Sequence, residues 1–159
     1  MNRIFLTALN LVLFLTLVIT STSYAKDYYV GEIEAEQILA DFTKFQRHQN
    51  DVEYSKAQLK PLQAIKDNVE IKVFFGQWCH DSQREVPRII KLFDQLNNPK
   101  FDIWYYGLNT SKSDPDGFAE AANIKRTPTV VIYKDGNEIA RILEFPKIDW
   151  ATDLSEILR

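Results

Sequence analysis

The sequence predicts an α/β domain with a central mixed β-sheet, helices on both faces and a helical extension on its N-terminal side. Three observations carry this expectation. Short apolar runs of strand length alternate with longer segments of helical periodicity through the middle of the chain. Two further strand-like runs, near the C-terminal end, are separated by a compact Asp-Gly turn, and an amphipathic segment follows them. Strand-helix-strand alternation implies parallel neighbours and the hairpin adds an antiparallel pair, so the sheet is mixed.

The elements follow in order. Ile33 to Gln49 places Ile38, Leu39, Phe42 and Phe45 at the spacing of one buried helical face. Tyr54 to Lys66 repeats the pattern with Leu59, Leu62 and Ile65, and Pro61 marks a kinked or late-starting helix that Asp67-Asn68 closes. Glu70 to Gly76 is short and rich in Ile71, Val73, Phe74 and Phe75, which fits a buried strand. From Ser82, the residues Val86, Ile89, Ile90, Phe93 and Leu96 recur at helical intervals until Asn97-Asn98-Pro99 stops them. Phe101 to Leu108 reads as a second buried strand. A polar loop, Ser111 to Gly117, precedes a short helix at Phe118 to Asn123. Thr129 to Tyr133 and Ile139 to Phe145 form the hairpin around Lys134-Asp135-Gly136-Asn137, and Trp150, Leu154, Ile157 and Leu158 mark the last helix.

With 159 residues, 45% of them hydrophobic, and no Gly/Ser-rich or Pro-rich linker, the chain is expected to hold one domain behind a targeting segment. Residues 1–25 read as a signal peptide: Arg3 supplies the positive end, Ile4 to Thr20 the apolar stretch, and Ser23-Tyr24-Ala25 the small residues before cleavage. The stretch falls just short of the roughly 18 to 20 residues needed to span a bilayer. An exported protein follows, periplasmic in the first reading, with secretion or anchorage by an uncleaved signal as the alternatives. That anchor is the only membrane association expected. Residues 26–69 then form the N-terminal helical extension and 70–159 the core. A net charge of −3 offers no electrostatic attraction for nucleic acid.

The chain has a single cysteine, Cys79, so no intramolecular disulfide can form. It lies in Trp78-Cys79-His80-Asp81-Ser82, between a strand and a helix. A thiol at a helix N-terminus faces unpaired backbone N–H groups and the positive end of the helix dipole, which favour the thiolate. His80 and Asp81 act on it in opposite senses: a protonated imidazole favours the thiolate and a carboxylate opposes it. Neighbouring residues on a helix point in different directions, which argues against a Cys79-His80 dyad. One Cys with His48 and His80 shows no metal-ligand spacing, and no metal or other cofactor is expected. Gln83-Arg84-Glu85 and Arg88 read as a solvated helix face.

Together with Pro87, eight residues beyond Cys79, Thr127-Pro128, and the strand-turn-strand that begins at Thr129, this motif resembles the thioredoxin superfamily over about residues 70–159. The resemblance implies a thioredoxin-like fold. It implies a nucleophilic Cys79, a cis-proline at Pro128 beside it, and Trp78, His80, Thr127 and Pro128 as residues that meet a substrate. It also shows departures. Ser82 stands where the family has its second, resolving cysteine, so a self-contained dithiol cycle is excluded. The family's buried relay acid falls at Val73, and the lysine that partners it near Gly107. Ser82 is instead expected to donate a hydrogen bond to the Cys79 thiolate. Two functions stay open. One is monothiol exchange with protein or low-molecular-weight thiols and disulfides, glutathione among them. The other is a non-catalytic module that binds extended polypeptide or glutathione.

Overall fold

The structure, a computed structural model, describes residues 27–159; the expected signal peptide lies outside them. Strands β1 (Gly31–Glu32), β2 (Val69–Phe75), β3 (Phe101–Gly107), β4 (Thr129–Lys134) and β5 (Asn137–Leu143) form one sheet in the order β1-β3-β2-β4-β5. β2 and β3 run parallel over seven residues, Val69 opposite Phe101 through Phe75 opposite Gly107, and the other pairs are antiparallel. The helices are α1 (Ala35–Asp41), α2 (Thr43–Gln46), α3 (Lys56–Gln63), α4 (His80–Leu96), α5 (Phe118–Ala121) and α6 (Trp150–Ile157). Among the described residues, no helix is long and apolar enough to cross a membrane.

Strand alternation divides the core. Val69, Ile71, Val73 and Phe75 of β2 join Phe101, Tyr105, Val130 and Ile132 on one face, which α1, α2, α3, α4 and α6 cover with Ile38, Phe45, Leu62, Leu92 and Leu154. The other face carries Phe74, Tyr106 and Val131 under Ala119 and Ile124, in and just after α5. Helices thus lie on both faces, as expected, but unequally. Beside α5 the rings of Trp104 and Phe118 meet edge to face at 5.5 Å, and Phe118 remains 48% exposed.

The N-terminal segment differs from the single helix expected over 33–49. Ile33 lies outside the helix, its N–H donating to Tyr105 O at 3.1 Å, because the chain leaves the two-residue edge strand β1 there. The helical stretch then breaks at Phe42, whose backbone turns to φ −104°, ψ 88°. The break lets Phe42 and Phe45 both reach Phe75, with ring centroids 6.4 and 5.7 Å away. Gln46 Nε2 donates to Ala40 O at 2.8 Å, satisfying a carbonyl near the end of the first helix.

Local chemistry sets the remaining boundaries. A capping box joins Ser55 and Gln58 at the start of α3. Asn97 ends α4 in the left-handed conformation, and Asn98 Nδ2 bonds Leu62 O and Ile65 O, tying that end to the exit of α3. Asp135 and Gly136 both have positive φ, as a two-residue hairpin turn requires. Asp149 caps α6, accepting from the Thr152 N–H at 2.9 Å and the Thr152 hydroxyl at 2.7 Å.

Phe45 is fully buried, so Phe45→Ala should cost about 3–5 kcal/mol in urea unfolding, while Phe118→Ala should cost about 1 kcal/mol or less. Burial pushes the Asp149 carboxyl up, but the bonds from Thr152 and Gln58 outweigh it and hold it below the ordinary carboxylate range. A group held lower in the folded state stabilises above its unfolded value, near pH 4, and loses that contribution as pH falls through the folded one. Asp149→Ala should therefore cost about 1 kcal/mol at neutral pH, with the gap in Tm from the wild type narrowing below about pH 4.

Candidate functional site

β2 ends at Phe75, and the chain turns through Gly76, Gln77 and Trp78 before Cys79 takes the N-cap position of α4 in an extended conformation, φ −81°, ψ 126°. The Cys79 N–H bonds Gly76 O, and the Gln83 N–H bonds Cys79 O, each at 2.9 Å. Gly76 is required by close approach: a Cβ there would lie 2.7 Å from the Trp78 ring. That indole donates its Nε1–H to Leu108 O at 3.1 Å, and Lys112 Nζ lies 5.6 Å from its ring centre.

Gln77 is held from two sides. Its side-chain oxygen accepts from the Tyr29 N–H, and its carbonyl from buried Gln83 Nε2, each at 2.9 Å. The N-terminal segment therefore braces the loop that carries the cysteine. Nothing in the local pattern of Gln77 or Gln83 announces these roles.

The Thr127–Pro128 peptide bond is cis. It presents the Thr127 carbonyl to Cys79, whose Sγ–H donates to it at 3.0 Å across 48 residues of sequence. The Pro128 carbonyl accepts from the Glu144 N–H at 2.8 Å, and the Thr129 hydroxyl donates to Arg126 O at 2.7 Å, so this loop is fixed on both sides. Arg126 and Glu144 pair at 2.6 Å beside it. Thr127 Oγ1 is buried and has no hydrogen-bond partner among the described residues. The structure thus brings the Thr127 carbonyl, just before Pro128, to the Cys79 sulfur, with Trp78 preceding the cysteine in the turn, Cys79 partly exposed and His80 on the surface at the first helical turn.

Ser82 is fully buried, and its oxygen accepts the Gly76 N–H at 3.1 Å. That bond, rather than one to Cys79, is what the structure gives it. The side chain therefore closes the strand-to-helix turn. Val73 is fully buried in the apolar core, and a Cβ at Gly107 would lie 2.8 Å from Tyr29 O. The place of the family's relay lysine is thus closed by the N-terminal segment.

The reading of Gln83, Arg84, Glu85 and Arg88 as a solvated face is corrected. Glu85 is 2% exposed and Gln83 is buried. Glu85 Oε2 accepts from Trp150 Nε1 at 2.9 Å, while Oε1 accepts from Arg84 Nε at 2.6 Å and Arg88 Nη1 at 3.0 Å. A carboxylate is tolerated there because each oxygen meets a donor. Among the described residues, no group of three or more His, Cys, Asp or Glu could hold a metal ion.

A family model described as thioredoxin matches residues 32–153. The chain is 30% identical to the thioredoxin of Chlamydia pneumoniae over 81 residues, which cover 51% of this chain and 74% of that one. It is 27% identical to the Alternaria alternata thioredoxin AMT13 over 105 residues, 66% of this chain and 80% of that one. Among solved structures, a Pseudomonas aeruginosa protein of unknown function superposes with a TM-score of 0.57 at 17% identity, covering 74% of each chain. A mixed five-stranded sheet, a cysteine at the N-cap of the helix after its central strand, the carbonyl of the residue before a cis-proline against the sulfur, and a family match that reaches back to residue 32 agree, and this chain belongs to the thioredoxin family.

Proposed function

We propose that this chain carries out thiol-disulfide exchange with one thiol. The Cys79 thiolate attacks a substrate disulfide, a new S–S bond forms to Cys79, and the other substrate sulfur leaves as a thiolate that takes up a proton. An external thiol, of a protein or of a small molecule such as glutathione, then attacks the mixed disulfide. It releases the first substrate sulfur or regenerates Cys79, according to which sulfur it attacks. The observation that carries this reading is the position of Sγ. Its residue holds the N-cap position of a 17-residue helix, where the first backbone N–H groups lack intrahelical acceptors and favour an anion. It also lies beside the cis-proline loop, where an extended chain can approach. Ser82 takes the resolving position, so release falls to the external thiol.

In this reading Trp78 offers an apolar surface to the substrate, and His80 meets it at the exposed turn. Thr127 and Pro128 align its backbone. The signal-like residues 1–25 assign the work to an exported protein, in a periplasm where disulfide substrates persist.

One observation favours a second reading, a non-catalytic module. The Thr127 carbonyl accepts from the Cys79 thiol at 3.0 Å, and a carbonyl oxygen opposes a thiolate in the same place. The balance between helix end and carbonyl decides between the two readings, and alkylation kinetics measure it.

Cys79 should react with iodoacetamide at neutral pH several-fold faster than free cysteine does. A rate no higher than that of free cysteine sinks the catalytic reading. Exchange also predicts that the exported protein accumulates disulfide-linked partners that dithiothreitol releases and that Cys79→Ser lacks. Partners retained equally by Cys79→Ser would establish the binding module instead.

A further inference from the structure

Cys79 stands at the start of α4 beside a carboxylate of the first turn. Asp81 lies two residues beyond the sulfur. A carboxylate in that turn is drawn to the same backbone N–H groups and the same positive helix end that favour a thiolate. Left free, Asp81 would occupy that pole and repel the sulfur anion. The structure does not leave it free: its Oδ1 lies 2.9 Å from Arg84 Nη2, one turn farther along the helix.

Arg84 is itself anchored. Its Nε donates at 2.6 Å to Glu85, whose side chain is only 3% exposed. Glu85 is fixed by Trp150 Nε1 of α6 and by Arg88. The guanidinium thus spans two carboxylates, one in the core and one at the motif, a task suited to its planar fork. We infer that Arg84 is a positioning residue that draws the Asp81 carboxylate back along α4 and off the Cys79 sulfur, anchored by the buried Glu85–Trp150 contact. The inference rests on Cys79 acting as a nucleophile.

Titratable and charged groups on the elements that meet at the sulfur include His80 at the same turn, Lys112 over the Trp78 ring, and the Arg126–Glu144 pair beside the cis-proline loop. They are constant among variants at positions 81 and 84, so a double-mutant cycle removes them. Arg84 and Asp81 are each about a third exposed, which makes their effect largest at low ionic strength.

The test is the pH dependence of Cys79 alkylation at low salt in the wild type, Arg84→Gln, Asp81→Asn and the double variant, with thermal unfolding as the check on folding. Arg84→Gln should raise the midpoint by about half a unit to one unit when Asp81 is present, and by less than about 0.2 unit when Asn replaces it. Arg84→Lys keeps the charge but not the fork and should fall between; it takes the place of Arg84→Gln in both backgrounds if the latter fails to fold. An equal shift in the two backgrounds would mean that Arg84 acts directly on the sulfur, and no shift in either would mean that it does not act. Both results overturn the inference. A wild-type alkylation rate at neutral pH no higher than that of free cysteine defeats the catalytic reading instead, so the two failures are distinct.

Discussion

The parallel register of β2 and β3 is the constraint from which the site follows. Two parallel strands cannot be joined by a tight turn, so the chain must cross the sheet, and α4 is that crossing. Its N-terminus consequently lies where β2 ends, with Cys79 as the cap. β4 runs antiparallel on the other side of β2 with Thr129 opposite Phe74. The residues just before β4 therefore lie beside the end of β2, and Thr127 meets the sulfur. The contact between Sγ and the Thr127 carbonyl is a consequence of two strand registers rather than a local arrangement.

Support for this junction comes unevenly from the rest of the molecule. Among the described residues, one face of the sheet carries five helices and a continuous apolar core, the other a helix of four residues. The N-terminal segment contributes to the thick side, where the rings of Tyr29, Phe42, Phe45 and Phe75 touch in sequence. Phe75 is the residue before Gly76, so this aromatic series ends at the loop that holds the cysteine. The same segment reaches the loop by a hydrogen bond from Tyr29 to Gln77. What resembled an appended helical extension thus supplies an edge strand, a core layer and a brace for the site.

Most elements were legible because their periodicity is strong and their ends carry turn chemistry, as at Asn97 and at Asp135-Gly136. The features missed depend on distant partners. β1 has only two residues and gains its hydrogen bonds from β3, so it leaves no alternation to read. The break at Phe42 is imposed by aromatic contacts with β2, which override helical spacing. Glu85 looked solvent-facing because its burial depends on Trp150, 65 residues later. At the site, Cys79, Trp78, Thr127 and Pro128 were legible as a motif. The partner of Ser82 was not, since the turn geometry that aims the Gly76 N–H at its oxygen is a property of the folded backbone.

The long sequence separations within the site have a consequence for how the protein is made. A chain emerges N-terminus first at about 5–20 residues per second, and the Thr127 carbonyl follows Cys79 by 48 residues. The Glu85–Trp150 contact spans 65 residues, so roughly 3 to 13 seconds pass between the two partners during synthesis. Until these partners emerge, the thiol stands without the contacts that the folded chain sets around its helix end. With no second cysteine in the chain, it has no intramolecular partner to be trapped by, and each nascent copy reaches the folded state with its sulfur uncommitted unless another molecule takes it first.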